Sequence, residues 1–425
     1  MARRMTVTEK IMAQSAGLKE VFPGQIITAN VGLVYTTDFQ AKAVFEHFKS
    51  LGAPKVFDLE KVLVFLDHFT PPPDVNYANL HKDIRKMAKE FHVRLYDVGR
   101  HGIMHHMVAE EGYLVPGIIA VGTDSHALTG GGMGAVVMGV GATDAAVAMA
   151  TGELWVRVPT TVRVELEGAL PKGTMSRDIM LYLMGQKGWD GTKAEWGYQA
   201  IELAGETTRR MSMDSRFALC NLASDTGAKN AIIEPDDVTE AYLKGRARSG
   251  YRVFQTDPDA EYTEKIALDV SAFEPQVACP HSPDNVKPLS QVLGKKIHVA
   301  TIASCSSGRL EDLHVAAQIL KGRKVDPDVR MIISPASQTV FRQAMEDGTF
   351  GILMEAGVLI AHSTCGPCHG GELVILGEGE VCVGSLPRNM QGRLGSPKSE
   401  VYLANPAVVA ASAIKGAIAD PREFL

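Results

Sequence analysis

The 425-residue sequence lacks several features that would place it in a specialised class of protein. Six cysteines are too few for a disulfide scaffold, and their uneven spacing favours a reducing compartment, so we expect a cytoplasmic protein. The net charge of −6 is modest and no long basic run occurs, which argues against a nucleic-acid or membrane-surface partner. The longest charge-poor stretch, 130–152, is too rich in glycine for a membrane span, and no apolar signal region follows the N-terminus.

The composition is that of a globular protein, with 45% hydrophobic and 22% charged residues. This length predicts two or three domains, and we expect boundaries that give domains 1–158, 159–272 and 273–425. In both the first and the last of these, short apolar runs alternate with amphipathic stretches in the order β-α-β-α-β. That order is typical of an α/β fold with parallel doubly wound sheets.

Polar side chains follow the predicted strands of the first domain. A β-type run at 25–34 leads to Asp38, which suits either a helix cap or a site, and the buried strand 62–66 ends in Asp67-His68. A carboxylate and an imidazole at the carboxyl end of a buried strand lie where open α/β sheets bind ligands. The sequence therefore predicts a polar site at this edge of the sheet.

Two further units add to the same edge. Strand 93–98 precedes a helix that carries two adjacent histidines. They point about 100° apart, so we expect at most one to face the site, and we choose His105 because it follows the apolar pair Ile103-Met104. Strand 118–121 is followed by Asp124-Ser125-His126 and a glycine-rich run, which indicates close backbone approach. In the second domain, Asn221 and Asp225 follow Cys220, which we interpret as a buried thiol.

Three thiols are expected at strand ends of the last domain. Cys365 and Cys368 lie three positions apart on a Gly-Pro turn, and Cys305 follows the strand at 297–302. The pair suits a redox couple, as in thioredoxin-like oxidoreductases, or a shared metal. A zinc site would need a fourth ligand from His369, Cys279 or Cys382, whereas an iron-sulfur cluster with three thiolates would leave one iron open.

Taken in order along nearly the whole chain, these motifs resemble the aconitase superfamily. The length and the chain ends are most similar to the large subunits of 3-isopropylmalate dehydratase and homoaconitase. The residues that carry the resemblance are Asp67-His68, the run 122–126 with Gly139 and Gly141, Ser304-Cys305 with Glu311-Asp312, the run 365–368, and Arg388 to Arg393 followed by Tyr402.

The resemblance implies a three-domain arrangement around one [4Fe-4S] cluster per chain, held by Cys305, Cys365 and Cys368. In such enzymes the open iron binds the hydroxyl and a carboxylate of the substrate. The implied catalytic residues are Asp67 and His68, which protonate the departing hydroxyl, together with His105, Asp124, Ser125 and His126. The implied substrate-binding residues are Arg388, Arg393, Asn221, Asp225 and Asp38.

The resemblance also implies a part that this sequence lacks. Members of the superfamily remove the Cα proton with a serine in a Gly-Ser-Ser-Arg-like motif on a swivelling domain, and no such motif occurs here. We therefore expect a small partner subunit that supplies the serine. The implied activity is a hydro-lyase that dehydrates and rehydrates a 2-hydroxy di- or tricarboxylic acid, most similar to the 3-isopropylmalate dehydratase of leucine biosynthesis.

Four positions depart from the pattern of the superfamily: Thr37, Asp225, Pro387 and Met390. They lie on the substrate or cluster side, so homocitrate and a methylated malate such as 2,3-dimethylmalate stay open beside 3-isopropylmalate. Two other classes remain as hypotheses. A thiol-disulfide oxidoreductase would make Cys305 a bystander, and a non-catalytic iron-responsive binding protein would not need His68, His105 and His126.

Overall fold

A computed structural model describes residues 3–191 and 193–425 of the chain. In its first part, up to residue 158, the helices and strands are, in chain order, α1 (Val7–Ser15), β1 (Ile26–Asn30), β2 (Leu33–Thr37), α2 (Asp38–Ser50), β3 (Val62–Phe65), α3 (Val75–Glu90), β4 (Arg94–Tyr96), α4 (Met104–Glu110), β5 (Ile119–Gly122), β6 (Val136–Gly139), α5 (Ala142–Thr151) and β7 (Glu153–Arg157).

Five of these strands form a parallel sheet in the order β4-β3-β2-β5-β6. The chain runs outward from β2 to β4 and then returns to the other side of β2 for β5 and β6. The connections therefore diverge at the carboxyl ends of β2 and β5. This is the switch point at which doubly wound sheets bind ligands.

The single β-run predicted at 25–34 is wrong, because the structure divides it between two sheets. β1 pairs antiparallel with β7, whereas β2 begins at Leu33 in the parallel sheet. The chain bends between them at Val31-Gly32, where a Cβ on Gly32 would lie 3.0 Å from the Ile118 side chain. Close approach to this neighbour explains the glycine at the break.

The glycine-rich run contains a strand that the sequence analysis did not identify. A 3₁₀ segment, Ser125–Met133, precedes β6, and α5 follows. A Cβ on Gly131 would lie 1.5 Å from the carbonyl oxygen of Ala231, so only glycine fits. The predicted close backbone approach is confirmed, and its partner is the second part of the chain.

The second part, from residue 159 to 272, contains β8 (Thr161–Glu167), α6 (Ser176–Lys187), β9 (Ala200–Ala204), α7 (Glu206–Arg210), α8 (Met213–Ala223), β10 (Asn230–Ile233), α9 (Asp237–Leu243) and β11 (Glu264–Asp269). Its parallel sheet has the order β10-β9-β8-β11. Cys220 is fully buried among apolar side chains of this part, as predicted.

The third part, from residue 273 onward, contains β12 (Gln276–Ala278), β13 (Val286–Pro288), β14 (Val299–Ile302), α10 (Leu310–Leu320), β15 (Arg330–Ile333), α11 (Gln338–Glu346), α12 (Thr349–Ala356), β16 (Leu359–Ile360), β17 (Val381–Gly384), β18 (Glu400–Leu403) and α13 (Pro406–Lys415). The sheet order is β13-β12-β18-β17-β14-β15-β16.

The parallel strands of this last sheet repeat the winding of the first. The chain runs from β14 outward to β16 and returns beside β14 for β17 and β18, while β12 and β13 extend the sheet antiparallel. Each parallel sheet falls within one of the three predicted domains, whose boundaries stay a prediction. No helix described in residues 3–191 and 193–425 is long and apolar enough to cross a membrane.

Candidate active site

A buried histidine-carboxylate pair lies at the end of β3. Asp67 is fully buried and His68 is 7% exposed, and Nδ1 of His68 lies 2.9 Å from Oδ1 of Asp67. The Thr37 hydroxyl lies 2.7 Å from the same ring nitrogen, and Met104 N donates to Oδ2 of Asp67 at 2.8 Å. These contacts fix the ring so that Nε2 points toward Asp124, whose Oδ2 is 4.0 Å away.

The electrostatic environment keeps His68 protonated. Burial opposes its charge, but the charge and hydrogen bond of Asp67, followed by the charges of Asp38 and Asp124, raise the pKa of His68 to about 10. An imidazolium held in this way can donate a proton at neutral pH. The pair therefore has the properties of a general acid.

A second set of histidines converges on Asp124, which follows β5. Nε2 of His105 lies 2.9 Å from Oδ1 of Asp124, and His126 N donates to the same oxygen at 2.8 Å. Although burial opposes ionisation, these histidines hold the pKa of Asp124 well below its usual range. His106 instead points away, with Nε2 2.9 Å from Glu110, so the adjacent histidines diverge as expected.

An ion pair next to Ser125 and His126 joins the second and third parts of the chain. Nε of Arg388, which follows β17, donates to Oδ1 of Asp225 at 2.6 Å, and Nη2 donates to Ser125 Oγ at 3.0 Å. Oδ2 of Asp225 lies 3.3 Å from Nε2 of His126. The charge of Asp225 raises the pKa of Arg388, which stays cationic and is oriented by contacts on two sides.

The remaining residues expected to bind substrate differ in their burial and in the hydrogen bonds that they already make to the protein. Arg393 donates to the carbonyl oxygen of Cys368 at 2.8 Å and to its Sγ at 3.3 Å. Asn221 is fully buried and donates to Thr129 Oγ1 at 2.7 Å. Asp38 is fully buried with both carboxylate oxygens engaged by donors from the protein, an arrangement that differs from that of a substrate contact.

The three thiols form a buried cluster of their own. Cys305 follows β14, whereas Cys365 and Cys368 lie on the short 3₁₀ turn Gly366–His369, and together they pack against Ile103. Hydrogen bonding with Cys365 lowers the pKa of Cys305 to about 6 and is the main cause that lowers the pKa of Cys368, while it raises the pKa of Cys365 well above its usual range. Two of the three thiols therefore ionise readily, and thiolates are the ligands of soft metals.

The donor set fits an iron-sulfur cluster better than a single zinc ion. Within the described residues, only Asp38, Asp67 and His68 bring three potential ligand atoms within 4.8 Å of one another, so the thiols are spread more widely than a zinc ion with Zn–S of about 2.3 Å requires. Cys279 and Cys382 pack in other apolar clusters. The His369 ring stacks on His68, with centroids 5.6 Å apart.

Unpaired polar atoms around the thiols also fit a bound group. Among the residues that the structure describes, Nε2 of His369, Oγ of Ser363 and Oγ of Ser385 are buried without a hydrogen-bond partner. Buried polar groups normally have partners, so these atoms are consistent with an additional acceptor or donor at this place. A helix does not begin at the Cys365 turn, which ends at Gly370 with φ of 67°, so the geometry is not that of a thioredoxin-like site.

Sequence reasoning missed two residues that support this site. His81 lies in α3 and contacts Asp38, and Arg177 lies in α6 and donates to the carbonyl oxygens of Ser385 and Leu386 at 2.7 and 2.6 Å. Both are buried charged or polar side chains on helix faces that otherwise pack apolar residues. An ionisable residue in an apolar stripe is the signal that would have identified them.

Comparison with known proteins agrees with this geometry. The family model described as Aconitase family (aconitate hydratase) matches residues 9–296 and 290–416. The chain belongs to the aconitase family.

Individual relatives in the aconitase family cover the whole chain. Proteins named 3-isopropylmalate dehydratase large subunit from Thermodesulfovibrio yellowstonii and Moorella thermoacetica are each 46% identical to it, over 421 and 422 residues, and cover 99% of both chains. The Pyrococcus furiosus protein named 3-isopropylmalate dehydratase large subunit 1 is 45% identical over 424 residues. These matches confirm the predicted family.

A solved structure confirms the predicted aconitase-like fold. The crystal structure of Thermococcus kodakaraensis aconitase X in its holo form has a TM-score of 0.50 with this chain. The match covers 90% of this chain and 89% of that chain at 11% sequence identity. At this identity the likeness concerns the fold alone.

Proposed function

We propose that this chain is the cluster-bearing large subunit of a hydro-lyase that removes water from a 2-hydroxy di- or tricarboxylic acid and adds it back, of the 3-isopropylmalate dehydratase type. The observation that carries the proposal is that three buried thiols, three histidine-carboxylate pairs and Arg388 lie close together, and we call the place where they converge the cleft. Full-length similarity to relatives named 3-isopropylmalate dehydratase large subunit supports the substrate class.

Cys305, Cys365 and Cys368 would hold a [4Fe-4S] cluster, since their thiols are buried together and the buried Nε2 of His369 beside them has no hydrogen-bond partner among the described residues. When bound, a cluster with three protein thiolates supplies an open iron that acts as a Lewis acid toward a substrate hydroxyl. Arg393 donates to Cys368 Sγ and would balance part of the thiolate charge.

His68 would act as the general acid of dehydration. As the C–O bond breaks with its electron pair on oxygen, Nε2 of His68 donates the proton that converts the departing hydroxide into water. Asp67 and Thr37 hold Nδ1, so the other nitrogen stays directed into the cleft. In rehydration the same nitrogen takes a proton from the entering water.

Arg388 would bind a carboxylate of the substrate. Asp225 and Ser125 engage Nε and Nη2, and this fixes the plane of the guanidinium, which is 21% exposed. A planar guanidinium in a fixed orientation suits a carboxylate better than a flexible ammonium. One carboxylate of a dicarboxylic or tricarboxylic substrate would therefore pair with Arg388.

The base that removes the Cα proton would come from a small partner subunit. The large-subunit names of the relatives support a two-subunit enzyme. We propose that the partner carries a serine close to the cleft whose ionised side chain, an alkoxide, accepts the Cα proton while His68 protonates the leaving group. Protons then balance, because one leaves carbon and one leaves the imidazolium.

The test is anaerobic reconstitution of the chain with iron and sulfide, alone and together with its small subunit. We expect a broad absorption shoulder from the cluster and dehydration of 3-isopropylmalate, followed by enoate absorbance, only when both subunits are present. Full activity of the chain alone would overturn the proposal of a separate base. A colourless protein active in disulfide exchange would overturn the proposed function.

The substrate is tested in the same assay. Homocitrate and 2,3-dimethylmalate are measured beside 3-isopropylmalate at equal enzyme and cluster concentration. The highest kcat/KM is expected for 3-isopropylmalate, and a higher value for either competitor would reassign the substrate within the same reaction class.

A further inference from the structure

A further histidine-carboxylate pair lies behind His68, outside the cleft. His81, in the middle of α3, is fully buried, and its Nε2 lies 3.0 Å from Oδ2 of Asp38. It belongs to the buried face of α3, together with Ile84, Met87 and Ala88. Burial of an imidazole ring among apolar side chains costs folding free energy unless a hydrogen bond compensates for the lost hydration.

The carboxylate of Asp38 connects this ring to the main chain that carries His68. Oδ1 accepts from His68 N at 3.1 Å, from Phe39 N at 3.0 Å and from the Thr37 hydroxyl at 2.8 Å. Oδ2 accepts from Phe69 N at 3.0 Å and from His81. Asp38 thus binds two consecutive amides of the turn after β3, and it is fully buried from solvent.

The other donors to the Asp38 carboxylate lie at the ends of β2 and β3, whereas His81 lies in α3. It reaches across 43 positions of sequence and fixes the rotation of the carboxylate about its last bond. Burial opposes ionisation of Asp38, and the hydrogen bond from His81 is the largest cause that keeps the pKa of Asp38 low. A neutral or rotated carboxylate would hold the two amides less well.

We propose that His81 and Asp38 are a pair of positioning residues that fix the main chain of His68, and with it the direction in which Nε2 delivers its proton. This inference rests on the proposed function insofar as it concerns catalysis. It changes the role expected for Asp38 from substrate binding to positioning. The fixed turn matters because an error of about 1 Å in the position of a reacting group costs roughly 100-fold in rate.

The test compares His81→Leu, which removes the donor, with His81→Gln, whose amide nitrogen can replace Nε2. Each variant is prepared as the reconstituted two-subunit enzyme, and kcat is referred to iron and sulfide content. We expect His81→Leu to lower kcat roughly 10- to 100-fold with KM nearly unchanged, and His81→Gln to restore most of the loss. His314→Leu, which breaks a partly exposed histidine-aspartate pair elsewhere, is the control.

Hydrogen exchange at the His68 and Phe69 amides gives a readout that does not depend on activity. We expect roughly tenfold faster exchange or more in His81→Leu, and near wild-type exchange in His81→Gln. Unchanged exchange in His81→Leu, or equal losses of kcat in both variants, would overturn the positioning role. An inactive wild-type enzyme would instead count against the proposed function, while the exchange data would still decide on the pair.

Discussion

The hydroxyl of Thr37 lies 2.7 Å from Nδ1 of His68, in a fully buried contact between the ends of β2 and β3. The same oxygen is 2.8 Å from Oδ1 of Asp67, so threonine and aspartate share the task of holding the ring. We predict that Thr37→Val lowers kcat roughly tenfold, because a hydrogen bond to a charged group is lost, and that Thr37→Ser retains most activity.

Thr36→Val is the matched control for this prediction. Thr36 is also buried, but its hydroxyl bonds to Thr123 Oγ1 at 2.8 Å rather than to His68. Thr36→Val should lower thermal stability as much as Thr37→Val does, while its kcat stays close to that of the wild type. Equal kcat in the two valine variants would contradict the role assigned to Thr37.

Cys305 should be required for the cluster although it is sixty residues from the other thiols in sequence. We predict that Cys305→Ala, reconstituted under anaerobic conditions, loses the absorption shoulder and most bound iron and sulfide. Cys382→Ala removes a thiol that is buried in a separate apolar cluster and should keep both. A normal cluster spectrum in Cys305→Ala would exclude this thiol as a ligand.

The ion pair of Asp225 and Arg388 should control substrate affinity. Asp225→Asn leaves a largely buried guanidinium without its counter-charge, a change that costs about 2–5 kcal/mol in comparable pairs. We predict a fall in kcat/KM of at least roughly 30-fold, seen mainly as a higher KM, since Arg388 is proposed to bind a carboxylate.

Asp236→Asn provides the comparison, because Asp236 accepts from the buried Arg216 at 2.6 Å outside the cleft. That variant should lower Tm with kcat/KM close to wild type. If Asp225→Asn changed only Tm in the same way, Arg388 would have no special part in substrate binding.

Glu110 should make the stability of the protein depend on pH in the acid range. Its Oε2 lies 2.9 Å from Nε2 of His106 and accepts from Ser337 Oγ at 2.6 Å, which joins α4 to α11. Burial opposes its charge, but the hydrogen bond and charge of His106 lower the pKa of Glu110 from 4.5 to about 2. Since the folded state has the lower pKa, the stabilisation is present above pH 4.5 and is lost as the pH falls toward 2.

We therefore expect Glu110→Gln to lower Tm at pH 7 and to make the decline of Tm in acid shallower than in the wild type. Glu111→Gln is the control, because Glu111 pairs with Arg248 at the surface, where such pairs contribute little. Parallel Tm profiles for wild type and Glu110→Gln would contradict the assigned linkage.

The strand ends of the site were predictable because their physical signals are local. The apolar run before Asp67 predicts the buried strand, and the turn residues after Asp67 predict where that strand ends. Both signals can be read from neighbouring residues alone. Helical geometry likewise predicted that His105 and His106 diverge, as their contacts with Asp124 and Glu110 show, whereas the choice of His105 rested on the apolar pair before it.

The role of Asp38 was not accessible in this way. An aspartate at a helix start satisfies capping and binding patterns equally, and the choice depends on donors at His68 and His81, which are distant in sequence. Likewise, the break between β1 and β2 depends on contact with Ile118, so that a continuous β-type pattern hides two strands of different sheets. Contacts across the fold decide both cases.

The carbonyl oxygen of Asp67 accepts a hydrogen bond from Cys365 N at 2.7 Å and another from Thr364 Oγ1 at 3.1 Å. One peptide unit thus ties the loop of the proposed acid to the loop of the proposed metal ligands, although the two belong to different sheets. A change that moves the turn of Cys365 would therefore also move Asp67, so the position of the proposed acid depends on the turn that carries the proposed metal ligands.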